Sequence, residues 1–161
     1  MEKQILFKYQ LFDHEQQLDE SLQRLLFASR EATRLSYAPY SRFHVGAALL
    51  LENGEIVKGS NQENASFPAG ICAERVALST ASSLFPSEKI VAIAISYHNA
   101  ATDTVAENIL SPCGICRQSL VEASHRQISN IKVILSSPAG QIIYIDDASS
   151  LLPLAFTSND L

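Results

Sequence analysis

A single mixed β-sheet of five strands with helices packed on its faces, an α/β fold, is what the sequence predicts. Three observations carry that expectation. A helical periodicity lies near the start of the chain, two apolar runs flank an Asn-Gly dipeptide, and two further helix-like stretches are each followed by compact apolar runs. The order is helix, strand pair, helix, strand, helix, strand pair, which layers most economically as one sheet covered by helices. With 161 residues the chain fits one domain, since domains run to roughly 100 to 200 residues.

Met1 to Phe12 mix apolar and charged residues without a period, which leaves open a strand, a packing arm or a frayed tail. From His14 to Tyr37 the residues Leu18, Leu22, Leu25, Ser29 and Ala32 recur at steps of three and four, lining one face of a helix that Pro39 stops. Phe43 to Leu51 and Glu55 to Glu63 flank Asn53-Gly54, a pair suited to a type I′ turn, and read as a hairpin. Cys72 to Leu84 is Ala-rich and helical, and Ile90 to Ser96 is a compact apolar strand, with Pro86 between them. After a polar loop, Pro112 is suited to open a helix running to about Arg126. Ile131 to Leu135 and Gln141 to Ile145 form a last strand pair around Pro138-Ala139-Gly140.

Composition excludes several function classes. The chain carries 17 acidic against 12 basic residues, a formal charge of −5, which opposes the counterion release on which nucleic-acid binding depends. No stretch approaches the roughly 18 apolar residues of a membrane span, and no apolar run follows a basic start. Three cysteines cannot all pair, so the expected compartment is reducing and cytoplasmic.

Those cysteines all lie in two short segments, Cys72-Ala73-Glu74 and Pro112-Cys113-Gly114-Ile115-Cys116. A thiolate pair at close spacing joined by one distant thiolate supplies three soft ligands to a tetrahedral zinc and leaves a fourth position open for water. Glu74 lies close enough to such a water to carry its proton. Both segments fall at predicted helix starts, where unpaired amides and the helix dipole favour thiolate. Spacing alone leaves other readings open: a buried cysteine beside a redox or structural pair, or a structural site whose fourth ligand is His14, His44, His98 or His125. Three thiolates on one zinc leave a net charge near −1, which raises the pKa of a bound water. Arg75 and Arg117, next to the motifs, are the candidates to offset it by donating to a ligand sulfur.

The run Cys72-Ala73-Glu74-Arg75 followed by Pro112-Cys113-Gly114-Ile115-Cys116-Arg117-Gln118 resembles the zinc nucleoside deaminases, specifically the small cytidine deaminases. Ser36-Tyr37-Ala38-Pro39-Tyr40-Ser41, Phe43-His44-Val45-Gly46-Ala47-Ala48, Asn61-Gln62-Glu63-Asn64-Ala65 and Leu151-Leu152-Pro153-Leu154-Ala155-Phe156 are similar to the same family. Together they cover most of the chain after about Leu18.

The resemblance implies a three-layer α/β/α cytidine deaminase-like fold and one domain spanning 1–161, with 1–17 as an N-terminal extension. It implies one zinc per chain held by Cys72, Cys113 and Cys116, with Glu74 as general acid and base. The implied reaction is the hydrolysis of cytidine and deoxycytidine to uridine and deoxyuridine, a pyrimidine-salvage step in which zinc-activated water attacks C4. The Ser111 carbonyl takes the amino group, Asn61 and Glu63 hold the ribose 3′-OH, and Phe43 and Ala73 line the nucleoside. Phe156 reaches a neighbouring subunit's site in a homotetramer. On a strand, Asn61 and Glu63 leave the same face, as such a clasp requires.

Three features depart from the family pattern: the N-terminal extension, a long loop from about Tyr97 to Leu110 with Thr102, Asp103 and Glu107 solvated, and Phe67 where a tyrosine is common. That loop enters Pro112-Cys113 and is placed to cover the pocket mouth. Competing readings are a deaminase of another aminated nucleoside such as blasticidin S, and a zinc-stabilised interaction module without catalysis. Asn61 to Asn64 with Phe43 favour a plain nucleoside, and Glu74 argues against the silent module.

Overall fold

The computed structural model describes residues 1–102 and 106–161; Asp103 lies outside them. Among the described residues the order is β1 (Gln10–Phe12), α1 (Glu20–Ala32), β2 (Phe43–Leu51), β3 (Ile56–Ser60), α2 (Ala73–Leu84), β4 (Ile90–Asn99), α3 (Gly114–Gln127), β5 (Lys132–Ser136) and β6 (Ile142–Ile145). One mixed sheet runs β1-β6-β5-β4-β2-β3. Among the described strands only β4 and β5 pair in parallel, and α3 supplies the crossover that parallel neighbours need. No described helix is long and apolar enough to cross a membrane.

The sheet has six strands where five were expected. The sixth is β1, which pairs antiparallel with β6 from Gln10↔Tyr144 to Phe12↔Ile142. A three-residue strand has no period to read; it forms because β6 would otherwise present an open edge.

Side-chain alternation sorts the two faces. Ala48, Ala92, Ala94, Ile134 and Ile142 meet Leu18, Leu22, Leu25, Leu26 and Ala28 of the α1 region. On the opposite face Ala47, Leu49, Ile93, Ile95, Val133 and Leu135 meet Ala73, Ala77, Leu78 and Ala81 of α2 and Leu120 of α3. The long helix expected over 14–37 is three pieces. Asp19 caps α1 by accepting from the Leu22 amide at 2.9 Å, and short 3-10 turns flank it at Glu15–Gln17 and Thr33–Leu35.

The β2–β3 connection is not the expected type I′ turn. Gly54 N–H donates to the Leu51 carbonyl and Leu51 N–H to Glu55, while Gly54 alone of the dipeptide has a positive φ, 87°. This is a three-residue loop, a type I turn closed by a left-handed glycine.

Gly59 positions the functional site. A Cβ there would sit 2.4 Å from both the Ala73 carbonyl and the Ala77 amide, so its hydrogen is what lets the first turn of α2 lie directly on β3.

Candidate active site and metal centre

Cys72 and Cys113 occupy the positions just before α2 and α3, in extended backbone, and neither side chain caps its helix. A cysteine is a poor cap, so these positions leave helix-start amides unclaimed by a side chain. Pro112 therefore stands one residue before the cap and not inside the helix. The topology brings the three sulfurs within 4.8 Å of one another, with Cys72–Cys113 at 3.8 Å and Cys113–Cys116 at 3.5 Å. Zinc–sulfur bonds of about 2.3 Å in a tetrahedron place sulfurs about 3.8 Å apart, so the donor set fits one zinc in both softness and spacing.

Three thiols this close cannot all lose their protons without a cation between them. The Cys72 thiol is lowered to about 6, chiefly by the adjacent Cys116 thiol. Cys116, fully buried, is pushed up by Cys72 and by burial.

Glu74 lies in the first turn of α2 and is only 4% exposed. Burial pushes its carboxyl up from the usual carboxylate range. Ala73 beside it is fully buried.

A cavity of about 520 Å³ opens next to Cys72, walled by Tyr40, Ser41, Asn61, Glu63, Phe67 and Ile71 among others. Asn61 and Glu63 share it, but not as strand residues: β3 ends at Ser60, and Gln62 continues by isolated bridges to Tyr37 and Ile71. Asn61 Oδ1 accepts from the Val45 amide at 2.8 Å and its Nδ2 donates to the Phe43 carbonyl at 2.9 Å. One amide hydrogen and one lone pair remain for a ligand. The Glu63 carboxylate accepts from the Ser41 hydroxyl and from the amides of Tyr40 and Ser41, and the Ser41 hydroxyl above all holds it below the usual range. Ser41 and Tyr40 thus aim Glu63, a role that sequence reasoning missed although both lie in the quoted Ser-Tyr-Ala-Pro-Tyr-Ser run.

Phe43 does not wall this cavity; its ring stacks on Tyr97. The loop expected over the pocket mouth contributes no wall to it among the described residues. β4 reaches Asn99, Ile109 and Leu110 pack against the core, and Thr102 and Glu107 are exposed. Ser111 is exposed and faces a second cavity of about 360 Å³, which Phe7 and Tyr9 of the N-terminal arm line with Arg117.

The two arginines act differently from the expectation that either donates to a sulfur. Arg117 Nε donates to the Pro112 carbonyl at 2.9 Å and its guanidinium to Leu151 at 3.2 Å, so it fastens the chain on both sides of the site. Arg75 makes no hydrogen bond to sulfur; it lines the groove between α2 and α3 and favours the Cys72 thiolate through its charge. Phe156 is 60% exposed, and its carbonyl accepts from Gln118 of α3.

Residues 19–132 match the family model described as the cytidine and deoxycytidylate deaminase zinc-binding region. The chain belongs to that deaminase family. It is 41% identical over 139 residues to a cytidine deaminase of Halalkalibacterium halodurans, covering 86% of this chain and 96% of that one. It is 38% identical to a cytidine deaminase of Sporosarcina psychrophila, over 87% of this chain and 94% of that one. The crystal structure of cytidine deaminase from Burkholderia pseudomallei superposes with a TM-score of 0.71 at 34% identity, over 83% of this chain and 97% of that one. The deaminase family's zinc-binding description agrees with the three-sulfur cluster found from geometry.

Proposed function

We propose that this chain is a zinc-dependent hydrolase that converts cytidine and deoxycytidine, with water, to uridine and deoxyuridine and ammonia. One observation carries the reading: a three-thiol cluster and a buried, raised carboxyl meet at the start of α2, beside a cavity large enough for a nucleoside. Cys72, Cys113 and Cys116 hold the metal. A bound zinc supplies the Lewis acidity that brings a water's pKa toward 7.

Glu74 moves the protons. Because burial raises its carboxyl above the usual carboxylate range, it is suited to take a proton from water and return it, first to N3 of the pyrimidine and then to the departing amine. Ala73, small and buried beside Glu74, leaves room for the ring. The Ser111 carbonyl accepts from the exocyclic amine, Asn61 and Glu63 hold the 3′-OH, and Phe43 backs the nucleoside through its carbonyl, which accepts from Asn61 Nδ2. Arg117 and Arg75 keep the anionic cluster in place, the first by its two carbonyl bonds and the second by its field.

The assay follows the loss of cytidine absorbance. Turnover is expected with cytidine and deoxycytidine and none with a 3′-deoxy analogue, and Glu74→Ala should abolish turnover with zinc retained. Full activity in Glu74→Ala would refute the reading.

The same proposal makes 1–161 one catalytic domain with 1–17 as its extension, acting in the cytoplasm as a homotetramer with shared sites. Support for shared sites comes from the exposed aromatic residues Phe67, at 77%, Tyr40 and Phe156, the first two at the cavity and the third on a tail tied to α3. Three unpaired cysteines suit a reducing compartment. Phe156→Ala should raise KM about tenfold, as loss of a stacked aromatic does, with zinc content unchanged; an unaltered KM would remove the shared-site element.

A further inference from the structure

Tyr97 stands near the end of β4, almost fully buried, on the sheet face that carries α2 and α3. In the β2–β4 ladder it lies opposite Val45, while Phe43 lies opposite Asn99, so Tyr97 and Phe43 are diagonal neighbours on one face. Their rings stack with centroids 5.1 Å apart and planes inclined by 26°. The backbone carbonyl of that same Phe43 accepts from Asn61 Nδ2. At its other end the Tyr97 hydroxyl donates to the Asn108 carbonyl at 2.6 Å. Three residues later the chain reaches Ser111, then Pro112 and Cys113.

One side chain thus touches two segments that approach the site from different directions. Through Phe43 it braces Asn61, at the sugar end. Through Asn108 it tethers the strand-to-helix loop, which delivers the Ser111 carbonyl and the Cys113 sulfur, at the amine and metal end. A loop this long costs entropy to hold in one register, and a buried O–H···O bond near its end is a direct way to do so.

We propose that Tyr97 is a positioning residue that fixes the separation between the sugar-binding and amine-binding ends of the site. The role rests on the deaminase reading of Asn61 and Ser111. It does not require Tyr97 to touch substrate, and the two halves of the side chain have separable effects.

The test compares Tyr97→Phe, which keeps the ring and removes the hydroxyl, with Tyr97→Leu, which removes both. Readouts are kcat and KM with cytidine, zinc content, melting temperature, and amide hydrogen exchange over residues 106–113. Tyr97→Phe is expected to speed exchange over 106–113 and lower kcat about fivefold, the effect of one lost hydrogen bond, with KM within twofold. Tyr97→Leu is expected to raise KM about tenfold as well, because the stack behind Phe43 is gone. If both variants only lower the melting temperature, with kcat, KM and exchange over 106–113 unchanged, Tyr97 is a core residue and the proposal falls. If the unmodified protein leaves cytidine intact, it is the deaminase reading that fails; the exchange data then still decide whether Tyr97 tethers the loop.

Discussion

The two helix starts that carry sulfur are built in opposite ways. The start of α2 is seated by packing: Ala73 and Glu74 are buried, and Gly59 brings β3 so close that no side-chain carbon fits between. The start of α3 is open: Cys113, Gly114 and Ile115 are exposed, and a Cβ on Gly114 would meet nothing within 4 Å. It is held by hydrogen bonds from a distance, chiefly those of Arg117 to Pro112 and Leu151. Packing is rigid and suits the proposed proton carrier, whose pKa depends on exclusion of water. Hydrogen-bonded suspension leaves the other start accessible, as the proposed role of the Ser111 carbonyl requires.

That contrast can be broken most severely at Gly59. Gly59→Ala should cost about 3 kcal/mol of unfolding free energy in denaturant titration, because backbone on both sides resists the new methyl, and zinc content should fall with it. Next comes Arg117→Met, expected to cost about 2 kcal/mol for two lost charge-assisted bonds and to speed zinc loss to a chelator, while amide exchange in α2 stays unchanged. A smaller effect belongs to α1, whose start has a true cap. Asp19 is held below its ordinary 3.8 by the Ser21 hydroxyl and the Leu22 amide. Since the folded value is the lower one, the stabilisation is complete above about pH 4 and lost as pH falls through the folded value. Asp19→Ala should therefore cost about 1 kcal/mol at pH 7, and the deficit should shrink toward pH 2. Smallest of all is Gly114→Ala, expected to stay within about 0.5 kcal/mol of the parent, the counterpart of Gly59→Ala in open space. Equal losses for the two glycine variants would erase the distinction between the helix starts.

What was legible in the sequence was local. Helical and strand periods, the Asn-Gly hairpin and the cysteine spacing each depend on neighbours a few residues apart, and the three sulfurs do meet. β1 was not legible, because three residues without a period form a strand only when β6 offers an edge. The partners of Asn61 were hidden for a similar reason: its bonds go to Val45 and Phe43, across the hairpin, and depend on register. Tyr97 reads as an ordinary strand aromatic until its diagonal with Phe43 is known. The arginines beside the cysteines were read as donors to a ligand sulfur, but sequence adjacency says nothing of direction, and the Arg117 guanidinium faces carbonyls instead.

Cys72 and Cys113, whose sulfurs lie 3.8 Å apart, are separated by 41 positions in the chain. Joining two such points in a free chain costs about 4 kcal/mol of loop entropy at room temperature. The paired strands between the motifs carry much of that closure as part of folding, so the sheet itself helps to gather the donors. A flexible peptide holding both cysteine segments, with no sheet between them, would bind the same ion about a thousandfold more weakly.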